Sequence, residues 1–131
     1  MLRIRLLDTD VIMCAINPKD QDHERGLYYL AMLAEKANYY LPSEVLLEAD
    51  LELKAYGYTY KEEQITFEEL AVKIPARKIL PVTPAILAVA IEYQAKGISY
   101  FDSLIITRAK LSNAIVVTRD EVIASYVETT W

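Results

Sequence analysis

Near-continuous apolar runs at residues 4–7 and 114–117 stand out along the chain. Runs of this kind suit strands covered on both faces, as in a parallel sheet. The first predicts a strand over Leu2–Leu7, and Ala114–Thr118 predicts the clearest strand of the second half. Thr9 or Asp10 starts a short helical turn to about Ala15, broken by Asn17-Pro18. Asp20 or Asp22 caps a helix to about Ala37, with Leu27, Leu30, Ala31 and Ala34 spaced as one buried face. Asn38–Leu41 reads as a short strand closed by Pro42. Ser43 is positioned to cap the next helix and Gly57 to end it. Tyr58–Gln64 reads as a polar and aromatic loop, Thr66–Lys73 as a shorter helix and Ile79–Val82 as a brief strand. Thr83-Pro84 opens a helix that Gly97 closes, and Ser99 opens another that reaches Ser112. Glu121–Ser125 and Val127–Trp131 complete the pattern as a short helix and a last strand.

Strands alternating with helices predict an α/β fold, its parallel strands joined by right-handed helical crossovers. Ligands of such sheets bind outside the carboxyl ends of the strands. Asp8 directly follows the first strand, and Asp120 follows the late strand by two residues. Glu48 and Asp102 come from helices. Four carboxylates converging there would make an oxygen-rich pocket suited to Mg²⁺ or Mn²⁺.

Composition narrows the class. The chain has 131 residues, 53% of them hydrophobic, enough for one domain with a real core. No apolar stretch reaches the roughly 20 residues of a membrane span, and no signal-peptide pattern opens the chain. Cys14 is the single cysteine, so an internal disulfide is excluded; it reads as a small core residue. A cytoplasmic protein is expected. The net charge of −5 disfavours broad duplex-DNA binding, which needs a basic face. A nuclease remains compatible, because bound divalent ions invert the field of an acidic pocket.

Each carboxylate has two readings. Asp8 is a site residue at a strand end or a turn and capping aspartate; Asp10 would support it through a hydrogen bond. Glu48 is a surface residue, or one that needs a partner because Leu46, Leu47, Ala49 and Leu51 surround it. With Glu44 and Glu52 four residues to either side, it forms a carboxylate stripe that repels unless cations compensate. Asp102 is a site residue or the partner of Ser99 in a capping box. Asp120 is a site residue or the cap of the short helix after it. Thr118 would hydrogen-bond a carboxylate or phosphate, or pack in the core.

Taken in order, Leu7-Asp-Thr-Asp-Val11, Pro42-Ser-Glu-Val-Leu-Leu-Glu48, Tyr100-Phe-Asp-Ser-Leu-Ile-Ile106 and Val116-Val-Thr-Arg-Asp120 resemble the four acid-bearing segments of the PIN domain family. His23 also stands in a segment like the family's. These are metal-dependent ribonucleases that include the VapC-type toxins, and the resemblance spans nearly the whole chain. It implies a single three-layer α/β/α domain over residues 1–131 with a central, mainly parallel sheet. It implies that Asp8, Glu48, Asp102 and Asp120 are catalytic and hold one or two Mg²⁺ or Mn²⁺ ions, supported by Asp10, Thr118 and Glu121. RNA phosphodiester bonds would be hydrolysed to 5′-phosphate and 3′-hydroxyl ends. A homodimer is implied, as is a small antitoxin that inserts an arginine among the acids. Two departures bear on substrate choice. Family members often carry a further acid and a Phe after the fourth acid, where this chain has Glu121-Val-Ile-Ala; Tyr56–Lys73 also exceeds the minimal connection.

Arg108, Arg119, Lys54 and Lys110 read as phosphate contacts or as ordinary surface charge. His23 reads as an RNA contact or a surface or capping residue. The tyrosines, ten in all, can stack on bases but suit core or dimer contacts equally. The alternatives to a toxin are an RNA-processing nuclease without an antitoxin and an inactive domain that binds RNA or protein. A haloacid dehalogenase-type phosphatase is disfavoured because Val11-Ile-Met13, not Gly-Thr, follows Asp8-Thr-Asp10. A dinucleotide-binding domain would need a glycine-rich loop after strand one, and none is present.

Overall fold

Leu6 and Leu7 are completely buried, as are Val116 and Val117. These two pairs are the centre of the molecule: β1 (Arg5–Leu7) and β4 (Ile115–Val117) lie side by side and parallel, with Leu6 opposite Val116 and Leu7 opposite Val117. The computed structural model describes residues 2–131. On the other side of β1 lies β2 (Tyr39–Pro42), followed by β3 (Ile79–Leu80); β5 (Thr129–Thr130) pairs with β4. The order is β3-β2-β1-β4-β5, every pairing parallel. Among the described residues, seven helices flank this sheet, giving the three-layer α/β/α arrangement.

The helices are α1 (Thr9–Ile16), α2 (His23–Glu35), α3 (Ser43–Ala55), α4 (Tyr60–Lys73), α5 (Pro84–Ala95), α6 (Tyr100–Ser112) and α7 (Glu121–Ala124). A single 3₁₀ turn, Ala76–Lys78, leads into β3. Thr83 caps α5 with its side chain and Pro84 sits in the first turn, as Thr83-Pro84 predicts. Gly57 and Gly97 follow α3 and α5 with φ of +87° and +92°. That left-handed conformation is why glycine terminates these helices.

Four local expectations change. The buried face of α2 is Gly26, Tyr29, Leu30 and Leu33, not Leu27, Leu30, Ala31 and Ala34. Gly26 is the reason: a Cβ there would stand 2.6 Å from the Ala15 backbone nitrogen. Its absence lets α2 close on α1 along that stripe. Ser43 does not cap α3 with its side chain; β2 runs through Pro42 directly into the helix at Ser43. Tyr58–Gln64 is not a loop. Thr59 and Glu62 form a reciprocal capping box, which starts α4 at Tyr60 and satisfies two orphan N–H groups. The strand expected over Leu2–Leu7 is shorter and begins at Arg5.

The topology fixes where a site belongs. From β1 the chain moves outward to β2 and β3, then crosses back to β4 on the opposite side of β1. Strand order thus reverses between β1 and β4, and a crevice opens at their carboxyl ends.

Candidate active site

Asp8 stands at the mouth of that crevice. Its N–H donates to the Val117 carbonyl at 3.1 Å, so the ladder between β1 and β4 extends one residue past β1. Asp8 is only 7% exposed, and its Oδ2 accepts the Thr118 hydroxyl at 2.8 Å. Thr118 Oγ1 in turn accepts the Asp120 N–H at 3.0 Å. One hydroxyl therefore orients the residue after β1 and the turn after β4 together. Thr118 Oγ1 also lies 3.3 Å from Asp10 Oδ2, but a single hydroxyl proton serves one acceptor, and the shorter contact assigns it to Asp8.

Asp10, in the first turn of α1, accepts the Arg119 N–H at 2.7 Å with its Oδ2, while its Oδ1 is buried without a partner. Glu48 reaches the same crevice from α3, where the Thr9 hydroxyl donates to its Oε1. In the sequence Thr9 stands only as a capping residue; its role as the anchor of Glu48 has no sequence signal, because 39 positions separate them. Asp102, in the first turn of α6, is half-buried, and the capping box expected with Ser99 does not form through the Ser99 side chain. Asp120 does cap α7: its Oδ1 accepts the N–H groups of Val122 at 2.8 Å and Ile123 at 3.0 Å. Capping and facing the crevice coexist, since the cap uses one oxygen of two.

Electrostatics ties the acids into one group. Burial pushes the Asp8 carboxyl well above the usual range, and the charges of Asp10 and Glu48 push it further. Burial also raises Glu48, with Glu52, Asp102 and Asp120 adding to the rise. Asp102 is raised by burial and then by Asp120. Asp10 and Glu52 are raised, burial again leading. Facing carboxylates in a desolvated crevice destabilise each other's charged forms, which a cation relieves.

No three His, Cys, Asp or Glu residues among the described ones stand close enough to complete an inner set of metal ligands. The donors nonetheless suit a hydrated hard ion: all are carboxylate oxygens, one buried oxygen of Asp10 lacks any partner, and Mg²⁺ keeps several waters when a few carboxylates hold it.

Other expected residues are positioned differently. Arg108 is buried, and its Nε and Nη2 donate to Glu44 at 3.0 and 2.6 Å, with Nη2 also donating to the Pro81 carbonyl at 3.1 Å. This corrects its reading as a phosphate contact: the guanidinium is consumed inside the protein. Glu44 leaves the expected carboxylate stripe for the same reason, and only Glu48 and Glu52 remain on the crevice side. Arg119 does lie at the site. It pairs with Asp22 at 2.8 Å, Asp20 at 3.5 Å and Asp10 at 3.7 Å, over the Trp131 ring. Glu121 is exposed on α7. Lys54 pairs with Asp50 and Glu63, and Lys110 is exposed. His23 Nδ1 donates to the Cys14 carbonyl at 2.9 Å, a bond between α2 and α1 that fixes the tautomer. Tyr29 and Tyr39 are core residues, whereas Tyr28, Tyr56 and Tyr60 are exposed.

A family model described as "PIN domain" matches residues 5–128. Among solved structures, FitAcB from Neisseria gonorrhoeae shares 25% identity with a TM-score of 0.70, covering 98% of this chain and 97% of that one. FitAB bound to an IR36 DNA fragment shares 24% identity at a TM-score of 0.70, over 97% and 94% of the two chains. VapBC2 from Rickettsia felis, bound to a DNA fragment from its promoter, shares 21% identity at a TM-score of 0.67, over 98% of each chain. No curated protein matches the sequence at a significant level.

Proposed function

The chain belongs to the PIN domain family, and on that premise we propose that it is a metal-dependent endoribonuclease and the toxin of a toxin–antitoxin pair. One observation carries the reading: Asp8, Glu48 and Asp102, from three separate segments at the reversal point of the sheet, have carboxyls raised by burial and by neighbouring acids, Asp120 among them. Carboxylates that destabilise each other at neutral pH are a cost the fold bears for a function. PIN domains generally are nucleases that use divalent ions. The toxin reading is supported by the likeness to FitAcB and VapBC2, whose names denote two-part assemblies.

Asp8, Glu48, Asp102 and Asp120 would hold Mg²⁺ or Mn²⁺. When bound, the ion supplies Lewis acidity toward water and the phosphate oxygens. The protein's own residues do the positioning. The Thr118 hydroxyl keeps one oxygen of Asp8 fixed. The Thr9 hydroxyl holds Glu48. Asp10 and Arg119 form the side of the crevice toward α2. A homodimer is proposed as well; Leu87 and Ile91 on α5 and Tyr100 and Leu111 on α6 are exposed apolar residues available for it.

The test is cleavage of labelled single-stranded RNA by wild type and Asp8→Asn in Mg²⁺, Mn²⁺ and EDTA. Cleavage is expected only with metal, and Asp8→Asn is expected to abolish it while keeping a folded melting profile. Equal cleavage by the variant would remove Asp8 from the mechanism; cleavage in EDTA would remove the metal.

A further inference from the structure

Next to the acidic centre, and sharing Asp10 with it, a cavity of about 480 Å³ opens between the end of α1 and the turn from α3 to α4. That volume lies in the range of small-molecule sites. Met13 and Ile16 give it apolar lining, and Tyr56 and Tyr58 give it aromatic lining.

The polar groups of the cavity are not equivalent. Asp10 and Asp20 are already paired with Arg119. Asn17 uses its Oδ1 to accept the Lys19 N–H at 3.1 Å, which leaves its amide N–H₂ as a donor. Glu52 is half-buried, and among the described residues its carboxylate makes no hydrogen bond or ion pair. Glu52 is thus the one carboxylate of the cavity with neither oxygen engaged, beside one free amide donor and two aromatic rings.

This set selects against a phosphate, because three carboxylates line the cavity and its arginine is committed. It suits an unpaired base, which stacks on tyrosine and is read along its Watson–Crick edge. The edges differ in what they show a carboxylate. Guanine presents two adjacent donors, N1–H and N2–H₂, beside the acceptor O6. Adenine and cytosine present one amine beside a ring acceptor, and uracil presents one N–H between two carbonyls. Only guanine satisfies both oxygens of a carboxylate and an amide donor together.

Resting on the nuclease reading above, we infer that this cavity is a base-recognition subsite for an unpaired guanine flanking the scissile phosphate, with Glu52 accepting from N1–H and N2–H₂ and Asn17 donating to O6. Tyr56 and Tyr58 supply the stacking surface, and Met13 and Ile16 the apolar floor. Tyr56 and Tyr58, its stacking residues, belong to the Tyr56–Lys73 segment that exceeds the minimal family connection.

Neutral nucleosides test the subsite without metal or catalysis. Saturation-transfer NMR would give the affinities of guanosine, inosine, adenosine, cytidine and uridine for the whole protein. Guanosine is expected to bind about tenfold or more tightly than adenosine, cytidine and uridine, the scale of one bidentate base contact. Inosine, which keeps O6 and N1–H but lacks the amine, should fall between. Glu52→Gln should erase the preference, Asn17→Ala should weaken guanosine and inosine alike, and Glu68→Gln, on an exposed part of α4, should change nothing. Equal binding of all five, absent guanosine binding, or a preference that survives in folded Glu52→Gln would overturn the inference. RNA cleavage separates it from the nuclease reading. Cut sites beside guanine, with the bias lost in Glu52→Gln, support both. Cleavage without guanosine preference removes the subsite alone, and guanosine preference without any cleavage removes the nuclease alone.

Discussion

Thr118 shows how little of a site need be acidic. Its hydroxyl donates to Asp8 and accepts from the Asp120 backbone, joining residues 110 and two positions away. Groups that orient a metal-binding carboxylate generally matter by tenfold to hundredfold in metal affinity. Thr118→Val keeps the shape and removes the hydroxyl. It is expected to weaken Mg²⁺ or Mn²⁺ by about tenfold or more, read as a displaced midpoint when melting temperature is titrated with metal. An unmoved midpoint would reduce Thr118 to packing. The sequence allowed Thr118 either role, and the structure gives it both, since it is buried and bonded. Asp120 is similar: capping and facing the crevice use different oxygens, so those two readings never competed.

Between elements, the Glu44–Arg108 pair decides how α3, α6 and the loop before α5 meet. Both side chains are nearly inaccessible, and the guanidinium is shared with the Pro81 carbonyl. Removing one partner of a buried pair strands a charge, which costs about 3–5 kcal/mol. Arg108→Ala should therefore lower stability by about that amount in a urea titration. Replacing both residues, as in Glu44→Leu with Arg108→Met, should recover most of it. A loss below about 1 kcal/mol for Arg108→Ala would mean that water reaches the pair. By sequence alone Arg108 is a phosphate contact or ordinary surface charge, because a charge pattern says nothing of orientation; neither holds for this buried guanidinium. The α4 start differs in kind, since Thr59-Tyr-Lys-Glu62 carries the capping-box spacing openly. Local hydrogen bonding outweighed the aromatic composition that suggested a loop.

For the whole molecule, the balance of protons and cations sets stability. Asp8, Asp10, Glu48, Glu52 and Asp102 all have raised pKa values, led by burial. A raised carboxyl binds more protons folded than unfolded, so its contribution is favourable at low pH and is lost as pH rises through the folded value. In EDTA, the melting temperature should thus fall from mildly acidic pH toward neutrality. Asp50 and Glu62 are shifted down, the opposite sense, but both groups are solvent-screened and weigh little. Mg²⁺ or Mn²⁺ should raise the melting temperature, and more at pH 7.5 than at pH 5, because protons compete with the ion for the same oxygens. The comparison requires metal well above its dissociation constant. A melt in EDTA that rises with pH, or coincident melts with and without metal, would contradict the acidic centre as a cation site.

The α/β class, the helix boundaries marked by Thr83-Pro84, Gly57 and Gly97, and the four acids in order were determined by the sequence itself. Each depends on local rules: strand hydrophobicity, backbone conformation of proline and glycine, and a family pattern carried in short segments. Tertiary structure alone decided which stripe of α2 is buried, because two overlapping apolar stripes exist and the missing side chain of Gly26 selects one. It alone decided that Arg108 is internal, that Thr9 holds Glu48, and that Glu52 and Asn17 meet across a cavity. These are relations between distant segments, and they arise only when the helices pack together on the sheet.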